Sequence, residues 1–161
     1  MQLTTHTDYA LRTLLVLGVA APEKLRTRDI GDAFDVSEHH LLKVVQTLSR
    51  HGFVETTRGK DGGICLGRTA DRINIGNVIR LVEGELGVVP CLKKDGIECY
   101  ITPVCGLKGL FADATEAFLA HLDNYSLADL LSEEMGRGGK ALRRRLVKKI
   151  PHLAQIGLAA P

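Results

Sequence analysis

The chain has 161 residues, of which 45% are apolar and 25% are charged, a composition typical of a soluble globular protein. This length predicts one main domain, or one domain with an appendage. No apolar run is long enough for a transmembrane helix, and the N-terminus lacks the basic and apolar regions of a secretory signal. Four cysteines in such a chain predict a cytoplasmic protein, in which thiols bind metals or undergo redox chemistry more often than they form disulfides.

The net charge of +2 hides an uneven distribution along the chain. Residues 1–134 hold 14 basic and all 19 acidic side chains, whereas residues 135–161 hold seven basic side chains and no acidic one. A basic C-terminal segment is suited to contact with a polyanion or to simple solvation, and composition does not choose between these.

The first half of the chain predicts three helices followed by a β-hairpin. Thr5 or Thr7 is placed to cap the first helix, Ser37 caps the third, and Gly52 ends it. Three helices, with a tight turn before the third, and a hairpin with a glycine-rich tip at 58–63 make a winged helix-turn-helix. The predicted elements are a mostly buried helix at 7–21, helices at 28–34 and 38–51, the latter with Leu41, Leu42, Val44, Val45 and Leu48 inward, and strands at 53–57 and 64–66.

The second half predicts more helices around a loop rich in Gly, Pro and Cys. A fourth helix spans 74–83, a long helix with apolar residues at spacings of three and four spans about 107–123, and a short helix starts after Ser126. The fold class is therefore mainly α with a small β-hairpin wing, α+β. The predicted divisions are a DNA-binding domain at 1–83, the cysteine loop at 84–106, the long helix and its short successor at 107–131, and a basic, partly disordered tail at 132–161.

A recognition helix reads the major groove with its N-terminal residues, and the wing contacts phosphates or the minor groove. Here Ser and His side chains can hydrogen-bond to base edges, and a lysine can reach guanine or phosphate. Alternatives for this surface are plain solvation or a protein-binding role, which winged helices also serve. The predicted DNA-binding residues are Arg28, Ser37, His39, His40 and Lys43, with Arg58, Lys60 and Gly62 on the wing.

Cys91, Cys99 and Cys105 lie within fifteen residues of one another, on a loop that Gly96 and Pro103 allow to fold back. Three thiolates can converge on one iron–sulfur cluster or one zinc ion and leave one position for another ligand. Structural zinc, a disulfide switch and unligated thiols are the alternatives, and the spacing differs from that of CxxC zinc knuckles. Cys65, among apolar neighbours on the second wing strand, is predicted to be a small core residue.

Several motifs resemble those of the winged-helix iron–sulfur regulators, the family that includes IscR and RirA. They are Met-Gln-Leu-Thr-x-x-Thr-Asp-Tyr-Ala-Leu-Arg at 1–12, Leu-Ser-Arg-x-Gly at 48–52, Arg-Gly-Lys-x-Gly-Gly-Ile at 58–64 and the three-cysteine loop. The segments at 99–105 and 122–130 are most similar to the nitric-oxide-sensitive members. The resemblance implies a homodimer with a long crossed helix, a near-palindromic DNA operator, and a cluster of the 4Fe–4S type, with 2Fe–2S as the alternative. It also implies repression that nitric oxide relieves by nitrosylating the cluster.

The resemblance also suggests the missing cluster ligand. Asp8 occupies the motif position of an aspartate that nitric-oxide-sensitive members can contribute from the partner subunit, whereas composition alone makes it a first-turn acid. Arg12, one turn later, is placed to pair with Asp8. Leu107 stands where IscR-like members carry a histidine ligand.

Two alternatives to a nitric oxide sensor stay open, and an enzyme is not predicted. The seven residues between Cys91 and Cys99 are a spacing shared with RirA-like iron sensors, so iron or redox stress is an alternative signal. A zinc-stabilised winged-helix interaction protein is the alternative of another class. No nucleotide fingerprint, phosphate loop or nucleophile–base pair is found, which argues against an enzyme.

Overall fold

The computed structural model describes residues 2–59, 62–93, 95–96, 99–132 and 138–155, with the side chain of His152 excepted. Its first three helices are α1 (Thr5–Ala20), α2 (Thr27–Phe34) and α3 (Glu38–Arg50). Helix α1 begins earlier than predicted because Thr4, rather than Thr5 or Thr7, is its N-cap and accepts a hydrogen bond from the Thr7 amide. Ser37 caps α3 as predicted, accepting from the His40 amide.

Helix α1 is the central element of the core and packs against α3, α4 and α6. Its buried residues recur on more than one face, among them Leu14, Val16 and Leu17. Since the helix is covered on several sides, it is apolar over most of its length. The prediction of a mostly buried first helix is thus confirmed.

The wing is a two-stranded antiparallel sheet of β1 (Val54–Thr57) and β2 (Gly63–Leu66). In its register Val54 lies opposite Leu66 and Thr57 lies opposite Gly63. Leu25 extends the sheet by exchanging two backbone hydrogen bonds of 2.9 and 2.8 Å with Ile64. The wing is therefore joined to the segment between α1 and α2, as well as to α3.

Helices α4 (Ile75–Glu83), α5 (Gly106–Leu122) and α6 (Leu127–Leu131) follow the wing. Asn74 caps α4 through its side-chain oxygen and donates from its amide group to the carbonyl of Asp123. Arg80 on α4 forms a bidentate ion pair with Asp123, with N–O distances of 2.5 and 2.7 Å. These contacts fix the end of α5 against α4, and the cysteine loop runs between the far ends of the same two helices.

Two sequence expectations are corrected by the packing. Leu42, predicted to point inward, is 51% exposed, because the buried positions of α3 are Leu41, Val44, Val45 and Leu48. Cys65, predicted to be a core residue, is only half-buried, since its neighbour Ile64 takes the inward position of the alternating strand.

The C-terminal segment, predicted as a basic and partly disordered tail, is described over residues 138–155. These residues form helix α7 (Gly139–Leu146) and a short 3₁₀ turn (Pro151–Ala154) that pack on the main domain. Three apolar side chains, Leu146, Ile150 and Leu153, anchor the segment, with exposures of 5% or less. The apolar residues are spaced for one side of a helix, and this spacing allows them to dock despite the high charge around them.

Candidate DNA-reading surface and cysteine loop

The N-terminal end of α3 presents the polar residues that were predicted to read DNA. Ser37, Glu38, His39, His40 and Lys43 are all exposed, while the opposite side of the helix is buried. The turn before α3 is tight because Asp35 adopts a left-handed conformation, with φ of 55°, at the end of α2. The turn aims the capped end of α3 outward, the geometry by which a recognition helix enters the major groove.

An open groove of about 430 Å³ lies between the start of α2, one side of α3 and the wing. Polar and basic residues of the α2 end line one wall, and the wing strands line the other. Leu42, the exposed leucine of α3, forms part of its floor. The residues that line the groove include Arg26, Arg28, Glu38, Leu42, Gly59 and Gly62.

The predicted contact residues of α2 and the wing differ in how the structure holds them. Arg28 is well exposed and lies 3.7 Å from Asp32, an ion pair so open to solvent that it leaves the guanidinium available. Arg58 is exposed at the hairpin, and Lys60 lies outside the described residues. A side chain at Gly62 would place its Cβ 2.8 Å from the carbonyl oxygen of Gly59, so this glycine is required by the hairpin tip itself.

Arg68, which no sequence motif singles out, ties the wing to the recognition helix. Its guanidinium donates to the carbonyl oxygens of Gly52 (2.9 Å) and His51 (2.7 Å) at the end of α3, and it lies 4.7 Å from the centre of the Phe53 ring. The guanidinium thus supplies hydrogen-bond donors to backbone carbonyls at a helix end, where carbonyls lack partners within the helix. The signal available in the sequence is only an arginine following Leu-Gly, which does not reveal this role.

The three loop cysteines are all free thiols. Cys91 lies in a short 3₁₀ turn (Pro90–Leu92), Cys99 is exposed, and Cys105 is the N-cap residue of α5. Over the described parts of the chain, no group of three or more His, Cys, Asp or Glu side chains is gathered closely enough to hold a metal ion. The isolated chain therefore offers ligands on a loop rather than a preformed cage.

The donor set fits an iron–sulfur cluster chemically. All three sulfur atoms are partly or fully accessible and unpaired with one another, which cluster ligation by thiolates requires. A cluster would have to draw the three together, and none of the three cysteines is held in the buried core.

Asp8 lies in the first turn of α1 and pairs with Arg12, as predicted. The two side chains make contacts of 2.7 and 3.0 Å, and each is 44% exposed. Next to them, Thr4 donates from its backbone amide and hydroxyl to the carboxylate of Glu83, the last residue of α4. The start of α1 is thus held to the point at which the cysteine loop begins.

A row of large apolar side chains lies exposed at the end of the cysteine loop and along α5. Tyr100 is 98% exposed, Val104 86%, Leu107 60% and Leu110 61%, whereas the only buried residues in α5 are Thr115 and Leu119 among those described. A soluble monomer rarely leaves so much contiguous apolar surface open, which marks this side as a contact surface.

Comparison with known proteins identifies the family to which this chain belongs. The signature of the Rrf2 family, described as iron-dependent transcriptional regulators, matches residues 3–133. The chain belongs to the Rrf2 family. It is 49% identical over 134 residues to the HTH-type transcriptional regulator NsrR of Geobacillus kaustophilus, covering 83% of this chain and 91% of the relative. It is 42% identical to NsrR of Bacillus subtilis, covering 83% and 92% of the two chains.

Solved structures agree with this placement. CymR, the global cysteine regulator of B. subtilis, superposes with a TM-score of 0.65 at 27% identity, over 81% of this chain and 95% of that one. The IscR of T. potens has the same fold, with a TM-score of 0.64 at 23% identity, over 83% of this chain and 88% of that one. The predicted winged-helix fold and the predicted resemblance to this regulator family, with NsrR among its members, are both confirmed.

As an Rrf2 protein, the chain is a DNA-binding transcriptional regulator and not an enzyme, as its relatives are named regulators. Helix α7 lies beyond residue 133, where the family match ends. No helix in the described parts of the chain is both long and apolar enough to cross a membrane.

Proposed function

We propose that this Rrf2 protein is a cytoplasmic repressor that senses nitric oxide through a 4Fe–4S cluster. The observation that carries the proposal is the set of three free, accessible thiols on one loop of a chain that is 49% identical to an NsrR. Its ligands are Cys91, Cys99 and Cys105, with Asp8 of the partner subunit in the fourth position. A 2Fe–2S cluster is the alternative with the same thiols.

DNA is read by the exposed end of α3 and gripped by the wing. His39, His40 and Ser37 are placed for base edges, while Lys43, Arg28 and Arg58 are placed for phosphates or guanine. Lys60 and Gly62 complete the hairpin contacts. Two such heads in a symmetric dimer require a near-palindromic operator, with half-sites about 34–36 Å apart or a multiple of this.

The homodimer forms through α5. The exposed leucines Leu107 and Leu110 are one turn apart on that helix, and they would be buried against their counterparts in a second copy. A two-fold axis there brings the cysteine loop of one subunit towards α1 of the other, which is where a ligand from the partner is needed.

When bound, the cluster supplies iron sites that react with nitric oxide. The chain's own part is to hold the ligands and to connect them to DNA reading. Arg12 fixes the orientation of the Asp8 carboxylate through two contacts, and Glu83 ties the start of α1 to the start of the loop. A rearranged loop therefore acts on α1, which packs directly on the recognition helix.

An iron-responsive repressor is the second candidate. It is favoured by the description of the family as iron-dependent and by the seven-residue spacing after Cys91, which is shared with RirA-like sensors. The two candidates use the same thiols and differ in the signal that removes or alters the cluster.

The deciding experiment is anaerobic purification followed by visible absorption, iron and sulfide analysis, and operator binding before and after addition of nitric oxide. We expect a brown protein whose spectrum changes with nitric oxide while its DNA affinity falls. Cys99→Ser should lose the colour, and Cys65→Ser, the matched control on the wing, should keep it. Loss of affinity on chelation but not with nitric oxide identifies the iron sensor, and a colourless, zinc-loaded protein refutes both.

A further inference from the structure

Helix α7 carries a basic surface that none of the roles above uses. Residues 138–155 contain six basic and no acidic side chains. Four of them, Arg144, Arg145, Lys148 and Lys149, are exposed, and within the described parts of the chain none of the four forms a salt bridge. We call these four residues the C-terminal basic face.

The basic face is held in place rather than carried on a loose tail. On the other side of the same segment, Leu146 and Ile150 are 5% and 1% exposed. The Arg143 guanidinium donates to the carbonyl oxygen of Leu153 at 2.6 Å, which locks the 3₁₀ turn against the helix. Because the anchors hold the backbone of this segment in place, binding of a ligand to the four cations would not require the backbone to be ordered as well.

The start of α7 lies near the last turn of α1, which leads into the segment that pairs with the wing. The backbone of Gly139 is so close to Leu131 that a Cβ at Gly139 would lie 2.8 Å from the Leu131 carbonyl oxygen, and Leu131 in turn packs against Gly18 in the last turn of α1. Six residues after Gly18, Lys24 donates a hydrogen bond of 3.0 Å to the hydroxyl of Thr57 on the wing. The C-terminal segment is thereby connected, through α6 and the end of α1, to the segment that contacts the wing.

We propose that the C-terminal basic face is a second DNA-binding surface, which contacts duplex phosphates outside the bases read by α3. Duplex DNA carries one negative charge per about 1.7 Å of its axis, so clustered and fixed cations complement it closely. A membrane surface fits less well, because a helix that lies in a bilayer interface inserts its apolar side, and here that side is buried in the core. The proposal rests on DNA binding by this chain and is independent of the cluster and of the signal.

The test measures binding to a random-sequence duplex by fluorescence anisotropy over a range of salt concentrations, since phosphate contacts are independent of sequence. The variant replaces all four residues (Arg144→Gln, Arg145→Gln, Lys148→Gln and Lys149→Gln). Loss of two to four phosphate contacts should reduce the steepness of log K against log salt by about 2 to 4, and weaken binding at 0.1 M salt by roughly tenfold or more. Arg72→Gln, an exposed arginine elsewhere on the chain, is the control and should change neither quantity.

Thermal unfolding of the variant checks that the anchors still dock. If the fourfold variant does not fold, the two pairs Arg144→Gln/Lys148→Gln and Arg145→Gln/Lys149→Gln are measured instead, and each should lower the steepness by about 1 to 2. A folded variant with the affinity and salt dependence of the parent overturns the proposal. The proposal is also overturned if parent and variant bind DNA equally but only the parent binds phosphatidylglycerol vesicles, because that result would assign the face to a membrane. Failure of the proposed operator function is distinguishable, because it would abolish sequence-specific binding in the parent itself.

Discussion

Replacement of Leu153 by alanine tests whether the C-terminal segment belongs to the folded domain. The side chain is 0% exposed and joins the main hydrophobic cluster. Leucine-to-alanine substitutions at such sites lower the free energy of unfolding by about 2–5 kcal/mol, because transfer energy is lost and a cavity remains. At about 3 kcal/mol, and with a shift of about 2–4 °C per kcal/mol for a chain of this size, the melting temperature should fall by about 6–12 °C.

Differential scanning calorimetry at a fixed protein concentration is the appropriate assay, since the stability of a dimer depends on concentration. Leu42→Ala is the matched control, because that leucine is 51% exposed on α3 and its truncation should change the melting temperature little. If Leu153→Ala melts within about 1 °C of the parent, a difference too small for any core truncation, the segment is not docked and the reasoning about α7 fails.

Three further substitutions probe other contacts. Asp123→Asn removes the ion pair with Arg80. In the parent, the hydrogen bond from Arg80 lowers the pKa of the Asp123 carboxyl below its usual range, so the pair stabilises the fold above the ordinary carboxyl pKa of about 3.9. Calorimetry should therefore show that the variant is less stable than the parent at pH 7, and that this difference shrinks as the pH falls below 4. A deficit that persists unchanged at pH 3 would contradict this. Ser37→Ala removes the hydrogen bond from the His40 amide and should cost about 1 kcal/mol of unfolding free energy in a urea titration, with no loss if the cap is irrelevant. Lys43→Ala should reduce the salt dependence of operator binding by about 1 unit of slope, and an unchanged slope would exclude a phosphate contact.

Much of the fold follows from local signals in the sequence. Ser37 and Gly52 mark the two ends of α3 because capping is decided by the few residues at a helix end. The hairpin follows from its glycine-rich tip and alternating strands. The pair between Asp8 and Arg12 could be predicted because residues four apart on a helix are neighbours.

What the sequence could not supply depends on partners distant along the chain. Leu42 fits the apolar pattern of α3, but its side faces the open groove rather than another element. The clamp of Arg68 on the end of α3 joins residues 16 and 17 positions apart, and no periodicity encodes it. The high charge of the C-terminal segment masked the few apolar anchors that dock it, because composition averages over both sides of a helix.

The candidate site likewise combines features that the sequence reveals with features that only the folded chain reveals. The clustering of Cys91, Cys99 and Cys105 is a local feature and is visible in the sequence. How they would converge is not encoded locally, because the proposed site requires a bound group and a second subunit. The exposed apolar side chains of Leu107 and Leu110 are a property of the folded chain, since the sequence pattern alone is equally typical of a helix buried within one subunit.

The clamp made by Arg68 has a mechanical consequence. Bending the wing away from α3 would break two hydrogen bonds from a charged donor and the contact with the Phe53 ring, and each such hydrogen bond contributes about 1.5–3 kcal/mol. The recognition helix and the wing are therefore expected to move together as one rigid unit. In the proposed dimer, a signal that lowers operator binding would therefore move the recognition helix and the wing together, so the spacing between the two DNA-reading ends would change before the fit of either one to its half-site.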